Sequence, residues 1–337
     1  MIKKRFNIPF VNAHAHAAMV AFRGKAEDLL LEVWLKKHIW PQEALHVRPK
    51  FVYKYAKEAI KEMKENGIRA FCDMYFFERD VARAAIEEKM QVIIGEGIIN
   101  FPTPSALTPN IALKKTEELI KEYQNNPYVK VAVSPHAIST ASEKILGRSK
   151  ELAKKYNTLF QIHLAETKKE FDDCKKNLHL TPVEYLDKLG ILDEHALLAH
   201  CVWLTDKDIK IIAARGAHVA HCPLSNLKLG SGIAPIAKMI KAGINVCLGT
   251  DGAASSNRLD IWEAGKFAAL LQKGVNLDPT LIPAKTAVKM MSTNGMRALG
   301  IEKLNGLSAS QWEKEIDRQK DFAHIYHDLV THLEFKK

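Results

Sequence analysis

The sequence predicts an α/β chain folded as a (β/α)8 barrel, and three observations carry that prediction. Eight short apolar or β-branched runs recur along the chain, amphipathic stretches lie between them, and nearly every run ends in a polar side chain. In chain order the runs are Pro9–His14, Ile68–Met74, Val92–Ile98, Val129–Ser134, Leu159–Leu164, Ala196–Val202, His218–Cys222 and Asn245–Thr250. Near-continuous apolar runs of this kind suit parallel strands buried on both faces. The intervening stretches, Phe51–Asn66, Val81–Lys89, Leu113–Asn125, Ser142–Tyr156, Asp206–Arg215 and Pro235–Ala242, carry apolar residues at helical spacing. The polar ends are His14 and His16, Asp73, Glu96, His136, His163 and Glu166, His200, Ser225 and Asp251. In a barrel, residues at the C-terminal strand ends face one pocket. An open doubly wound sheet is the alternative architecture.

A chain of 337 residues with 47% hydrophobic and 26% charged residues is long enough for a sizeable core, which excludes disorder and small disulfide scaffolds. The net charge of +10 sits on Lys-rich helix faces such as Lys57–Lys64 and Lys114–Lys121, where Glu alternates with Lys and no basic run is interleaved with aromatics. That pattern is a solvated surface and argues against a nucleic-acid partner. Five cysteines, an odd number without CxxC spacing, point to a reducing, cytoplasmic setting. The sequence MIKKRFNIPF lacks the apolar core of a signal peptide, and no run of 18 apolar residues predicts a membrane span.

Two stretches exceed a minimal barrel. Residues 17–50, with Trp34, Trp40 and Glu43, are long enough for a lid or substrate wall. Beyond a barrel of residues 1–300, residues 301–337 read as a helical extension over Ala309–His332, with Trp312, Ile316, Ile325, Leu329 and Leu333 available for packing. His324, His327 and His332 in that extension read as surface or packing residues, because no carboxylate or cysteine accompanies them.

The chemistry concentrates in the strand-end set. His14 and His16, two residues apart on a strand, point to the same side and can reach one ion. Alone, each of these residues has a plain structural reading: a hydrogen-bonded core histidine for His163 or His200, a helix cap for Asp251. Together, four histidines and an aspartate at the ends of apolar runs are costly to bury without a compensating ion or hydrogen-bond network. HAHAAM, SPHAIST, HLAET, AHCVWL, HCPLSNLKLGSGIAP and LGTDGAASSN, in this order over about residues 9–300, resemble the metal-dependent amidohydrolase superfamily, in its branch of S-adenosylhomocysteine, methylthioadenosine and adenosine deaminases.

That resemblance implies one divalent ion, zinc first with iron or manganese also suited, on His14, His16, His163 and Asp251. It implies Glu166 as proton shuttle, contacting the substrate, and His200 as the group that orients water, with Asp251 directing the attack as well as binding the ion. Trp34 would lie against the purine, Glu43 on the ribose hydroxyls and His136 in the substrate pocket. The reaction implied is hydrolytic deamination, in which hydroxide held by the ion attacks purine C6 and ammonia leaves. HCPLSN reads mostly as structure, with Pro223 and Asn226 shaping a turn.

Two departures qualify the resemblance. The 13 residues before His14 and the helical pattern after Gly300 do not supply the small β-sandwich usual in this family, so the expectation is a barrel without it. The stretch GEGIINFPTPSALTPN carries Glu96 and no arginine where S-adenosylhomocysteine deaminases place a carboxylate clamp. This favours neutral 5′-substituted adenosines such as methylthioadenosine, 5′-deoxyadenosine or adenosine itself. Other amidohydrolase reactions, on guanine, a pterin or a triazine, and a catalytically silent barrel are the competing readings, and the sequence does not fix an oligomeric state.

Overall fold

The computed structural model describes residues 8–319. Ten strands run through it: β1 (Phe10–Ala15), β2 (Ile68–Asp73), β3 (Gln91–Ile94), β4 (Gly97–Ile98), β5 (Val129–Val131), β6 (Ser134–Pro135), β7 (Phe160–Leu164), β8 (Ala196–His200), β9 (His218–His221) and β10 (Val246–Leu248). All pair in parallel, in two four-stranded sheets ordered β1-β2-β3-β5 and β10-β9-β8-β7, with β4 beside β6. Isolated parallel bridges join the outer edges of the two large sheets, Ala15 to Asp251 on one side and Val133 to Phe160 on the other. Phe71, Ile94, Phe160, Ile162 and Leu164 are fully buried between the sheets and the flanking helices.

Each expected strand overlaps an observed one, with three corrections. The expected run Val92–Ile98 divides into β3 and β4, and Val129–Ser134 divides into β5 and the start of β6. The break is packed too tightly for a continuous ladder: a Cβ on Gly95 would lie 2.0 Å from Ser134 Oγ and 2.5 Å from Gln161 Nε2. Strand β8 stops at His200, short of Val202, because His200 and Cys201 take left-handed backbone angles, φ 72° and 48°. The helix Asp206–Arg215 starts and ends as its periodicity predicts, closed by a capping box on Thr205 and by Gly216 at φ 72°. Periodicity does not single out the helices Lys168–Leu178, Pro182–Lys188 or Ile261–Asn276, which also flank the strands.

The wall segment is helical over Leu31–His46, with π geometry at Trp34–Ile39. Pro41 follows directly; it has no N–H to donate four residues back, and Trp40 N bonds Leu35 O, five residues back. The helix expected to reach His332 ends at Arg318, and Gln319 is extended. Its described part is anchored by Trp312 and Ile316, both buried, with Trp312 Nε1 donating to Leu304 O at 2.9 Å. Ile325, Leu329, Leu333, His324, His327 and His332 lie outside the described residues. None of the five cysteines is in a disulfide, and all are buried. Among the described residues no helix is long and apolar enough to cross a membrane.

Gly249, next to β10, is a point where the backbone itself limits the side chain. A Cβ there would meet His14 Cβ and His14 O at 2.8 Å and Cys222 Sγ at 2.9 Å. Since a carbonyl cannot swing away as a flexible side chain can, Gly249→Ala should destabilise the fold by about 1–3 kcal/mol. Thermal or urea unfolding checks this; an unchanged midpoint would show that the β1–β10 contact is looser than described.

Candidate metal centre and substrate cavity

Four side chains converge where β1, β7 and β10 end: His14, His16, His163 and Asp251, each offering one donor atom, with these atoms all within 4.8 Å of one another. His14 lies in β1 and His16 directly follows its end, and both rings turn toward His163. His163 Nε2 lies 3.1 Å from His14 Nε2 and 3.3 Å from His16 Nε2, and Asp251 Oδ1 lies 3.0 Å from His16 Nε2.

Three of these side chains are tied to the scaffold through their other atoms, whereas His14 Nδ1 is buried without a partner. His163 Nδ1 donates to His136 O at 2.7 Å, and His16 Nδ1 donates to Met74 O. Asp251 Oδ2 accepts from Ser225 Oγ at 2.5 Å and Ser255 Oγ at 3.0 Å, while Oδ1 accepts from Gly252 N at 2.8 Å. With Nδ1 committed as donor, the neutral forms of His16 and His163 turn Nε2 lone pairs toward one another. Such lone pairs repel unless a proton or a cation stands between them. Burial opposes a charge on His16, yet the hydrogen bond and the charge of Asp251 prevail and raise it to about 9. Burial and the neighbouring imidazoles hold His14 and His163 well below the ordinary histidine value, so both stay neutral, as metal ligands must. Asp251 is held far below the carboxylate range, the contact with His16 overcoming burial. Three imidazole nitrogens and one carboxylate are a donor set that fits a divalent cation.

Beside this cluster opens a cavity of about 720 Å3. Its wall brings together Trp34, Glu43, His136, Glu166 and His200 with His16, His163 and Asp251; His14 lies behind them, 1% exposed. Glu166 follows the left-handed Ala165, φ 50°, and its Oε2 lies 3.9 Å from His200 Nε2. Burial raises the Glu166 carboxyl above its ordinary range, an effect that His200 opposes and Asp251 reinforces. Glu43 is buried to 5% exposure, and that burial raises it to about 7 against the opposing influence of Tyr75 and His16. His136 bonds Thr140 Oγ1 at 2.9 Å, and burial with the nearby His16 lowers it to about 4. Trp34 is 4% exposed, and its indole N–H, in the cavity wall, has no protein partner.

Not every polar strand end reaches the cavity. Asp73 and Glu96 are buried outside it: Asp73 Oδ1 accepts from Ala17 N, and Glu96 accepts from Glu78 N and Ser105 Oγ. Ser225 acts on Asp251 alone. Asn226, expected to shape a turn, lies instead in the helix Pro223–Lys228, where it accepts a 2.8 Å bond from His200 Nδ1 and so turns His200 Nε2 toward Glu166. Tyr75, Trp40 and Phe101 complete the wall, the last two as an aromatic pair 5.0 Å apart, and Glu170 lies at its edge. Trp40 belongs to the long connection that predicts a wall, Glu170 shows in the sequence only as part of a helix start, and Tyr75 and Phe101 carry no spacing signal.

Comparison with known proteins identifies the family. Residues 9–309 match the Amidohydrolase family. A 5-methylthioadenosine/S-adenosylhomocysteine deaminase of Thermodesulfovibrio yellowstonii is 47% identical over 87% of this chain and 67% of its own length. A 5′-deoxyadenosine deaminase of Methanosphaera stadtmanae is 42% identical over 86% and 68% respectively. The crystal structure of a zinc-bound adenosine deaminase from Xanthomonas campestris superposes with a TM-score of 0.87 at 35% identity, covering 90% of this chain and 69% of that one. The chain thus spans about two thirds of the length of the relatives it matches. With its parallel α/β architecture and its His/Asp cluster, it belongs to the amidohydrolase family.

Proposed function

We propose that this protein is a hydrolytic deaminase of adenosine-type nucleosides, working at one divalent ion, zinc by first choice, at the mouth of a closed (β/α)8 barrel. The edge bridges at Ala15–Asp251 and Val133–Phe160 support closure, with residues 1–300 as the barrel and the helix from Ala309 as an extension packed on it. The observation that carries the functional reading is the placement of Glu166 and His200 on the cavity wall beside the four ligand-type residues.

His14, His16, His163 and Asp251 would hold the divalent ion, which would supply Lewis acidity that lowers the pKa of water from 15.7 toward about 7. The protein's own groups do the rest. Glu166 takes a proton from the attacking water and delivers it to the purine ring N1 as C6 becomes tetrahedral; the proton left on the added oxygen then passes to the amino group, which leaves as ammonia as the C6 carbonyl forms. Its raised pKa suits both halves of that transfer. His200, fixed by Asn226, orients the attacking oxygen, and Asp251, held by Ser225 and Ser255, directs it. Trp34 lies against the purine, Glu43 faces the ribose hydroxyls and His136 contacts the base as a neutral imidazole.

The rim supports a neutral 5′ group. Its lysines are already paired, Lys36 with Glu32 at 2.6 Å, and Lys168 and Lys169 with Asp172 and Asp173 at 2.5 Å each. A substrate carboxylate would have to displace those partners, which lowers S-adenosylhomocysteine relative to methylthioadenosine, 5′-deoxyadenosine and adenosine.

Metal analysis with ammonia release from these nucleosides, S-adenosylhomocysteine and guanine tests the proposal; full metal occupancy without turnover on any nucleoside would sink it. Glu166→Gln should keep the metal and lose about 10²–10⁴-fold in kcat, because the amide cannot carry a proton. A second expectation concerns pH. His136 has its folded pKa near 4, below the ordinary 6.5, so the folded state binds fewer protons than the unfolded one between those values. Its contribution should therefore make stability fall as pH drops from about 6.5 toward 4, and a cation at the site acts in the same direction. NMR titration should find the His136 ring neutral down to about pH 5; protonation near 6.5 would refute the buried, neutral assignment.

A further inference from the structure

We infer that Glu170 is a positioning residue for Glu166: its carboxylate grips the backbone of the Ala165–Glu166 turn and sets the direction in which the Glu166 side chain enters the cavity. The inference builds on the reading of Glu166 as the proton carrier.

The argument begins with a capping signature used differently from its copies. Four helices start with a hydroxyl residue followed three positions later by Glu, Asp or Gln: Thr167/Glu170, Thr181/Glu184, Thr205/Asp208 and Ser308/Gln311. In the last three the side chain returns to the N–H of its own cap residue, at 2.8, 2.7 and 2.8 Å. This reciprocal pair satisfies two otherwise free donors at the helix start. At Thr167 only half of the pair forms, Thr167 Oγ1 accepting from Glu170 N at 3.1 Å. The Glu170 carboxylate passes its own cap and takes the two preceding residues instead, Oε1 from Ala165 N at 3.0 Å and Oε2 from Glu166 N at 2.9 Å.

Those two N–H groups belong to a turn that needs holding. Ala165 has φ 50°, a left-handed conformation that costs a residue with a Cβ roughly 1–2 kcal/mol. Its carbonyl is already fixed from the other side, accepting from Val202 N at 3.0 Å and Trp203 N at 2.9 Å. Glu170 therefore closes a clamp around one peptide, and the side chain leaving that peptide is Glu166. Only a carboxylate offers two acceptor oxygens side by side. A glutamine offers one acceptor, and its NH2 would oppose the second N–H, donor against donor. Since displacement of a catalytic group by about 1 Å can cost on the order of 10²-fold in rate, the clamp bears on turnover without touching the substrate.

The test is Glu170→Gln, alone and combined with Glu166→Asp, which keeps a carboxyl at a shifted position. Glu170→Gln should retain full metal occupancy, change KM by less than about threefold and lower kcat by about 10–100-fold. In the double variant the combined loss should be smaller than the product of the two single losses, because both act on one carboxyl. A kcat within twofold of the parent, or losses that multiply, would overturn the inference; so would a parallel loss of metal, which would mark a general collapse of the site. If Glu170→Gln does not fold, Glu170→Asp, charged but too short to span both N–H groups, must show the same selective fall in kcat, and full activity in it is a refutation. Failure of the deaminase reading is separable, as it shows in the parent protein as absence of ammonia release. In that event a crystal structure of the Glu170 variant decides, an unmoved Ala165–Glu166 turn with the 3.9 Å Glu166–His200 approach intact being the negative result.

Discussion

Three imidazoles and a carboxylate forced into one small buried volume are the constraint around which the chain is arranged. Neutral imidazole nitrogens about 3 Å apart repel through their lone pairs, and one proton shared between His16 and Asp251 relieves only part of that conflict. A divalent cation relieves all of it. The contacts behind the ligands keep them from turning away: the Met74 and His136 carbonyls fix two of the rings, and two serines with a backbone N–H fix the carboxylate. These partners come from β2, β6 and two short helices, so the cluster exists only when elements distant in sequence have assembled. Such backing interactions set ring orientation and ligand basicity as firmly as the ligands themselves set the coordination number.

The same assembly stores backbone strain at the strand ends. Ala165, His200 and Asp251 all have positive φ although none is glycine, and each sits at or next to a residue assigned to the chemistry. Continuing the strands would remove the strain and carry these side chains past the cavity. The turns are held instead by contacts across the sheet: Asp251 N on His14 O, Cys201 N on Leu164 O, and the pair of N–H groups from Val202 and Trp203 on Ala165 O. Strain that persists under this many restraints is the mark of a site whose geometry is specified by its surroundings rather than by local preference.

How much of this was legible in the sequence depends on the range of each signal. The strands and the His14/His16 pair are local, since a period of two or a run of apolar residues declares itself within a few positions. His163, His200 and Asp251 gain meaning only as a set, because each alone reads as a core histidine or a cap. Asn226 and Glu170 escape such a reading for a different reason. Asn226 reads as a turn residue and Thr167-x-x-Glu170 is a helix start, so a structural explanation already accounts for both residues, and nothing in their spacing reveals that His200 and the Ala165–Glu166 peptide are their partners. The division of two strands fails to show because Gly95 is constrained by Ser134 and Gln161, 39 and 66 positions away. The premature end of the helix at Arg318 shows that an apolar spacing indicates which face would be buried, not how far the helix continues.

The charge of the molecule is organised on the same principle of local satisfaction. An excess of ten positive charges could have made the cavity an attractor for anions, yet the cations at its rim are matched by carboxylates of their own helices. At surface exposure each such pair contributes little to stability, at most about 1 kcal/mol. Their effect on recognition is larger, because a ligand's charge then has no free counter-charge to meet. Selectivity is left to the apolar and aromatic wall of Trp34, Trp40, Phe101 and Tyr75 and to the few buried polar groups within it. An apolar and aromatic pocket of this kind penalises any buried charge that arrives without a partner. The converging donor set of His14, His16, His163 and Asp251 is an electrostatic demand of the kind a divalent ion meets.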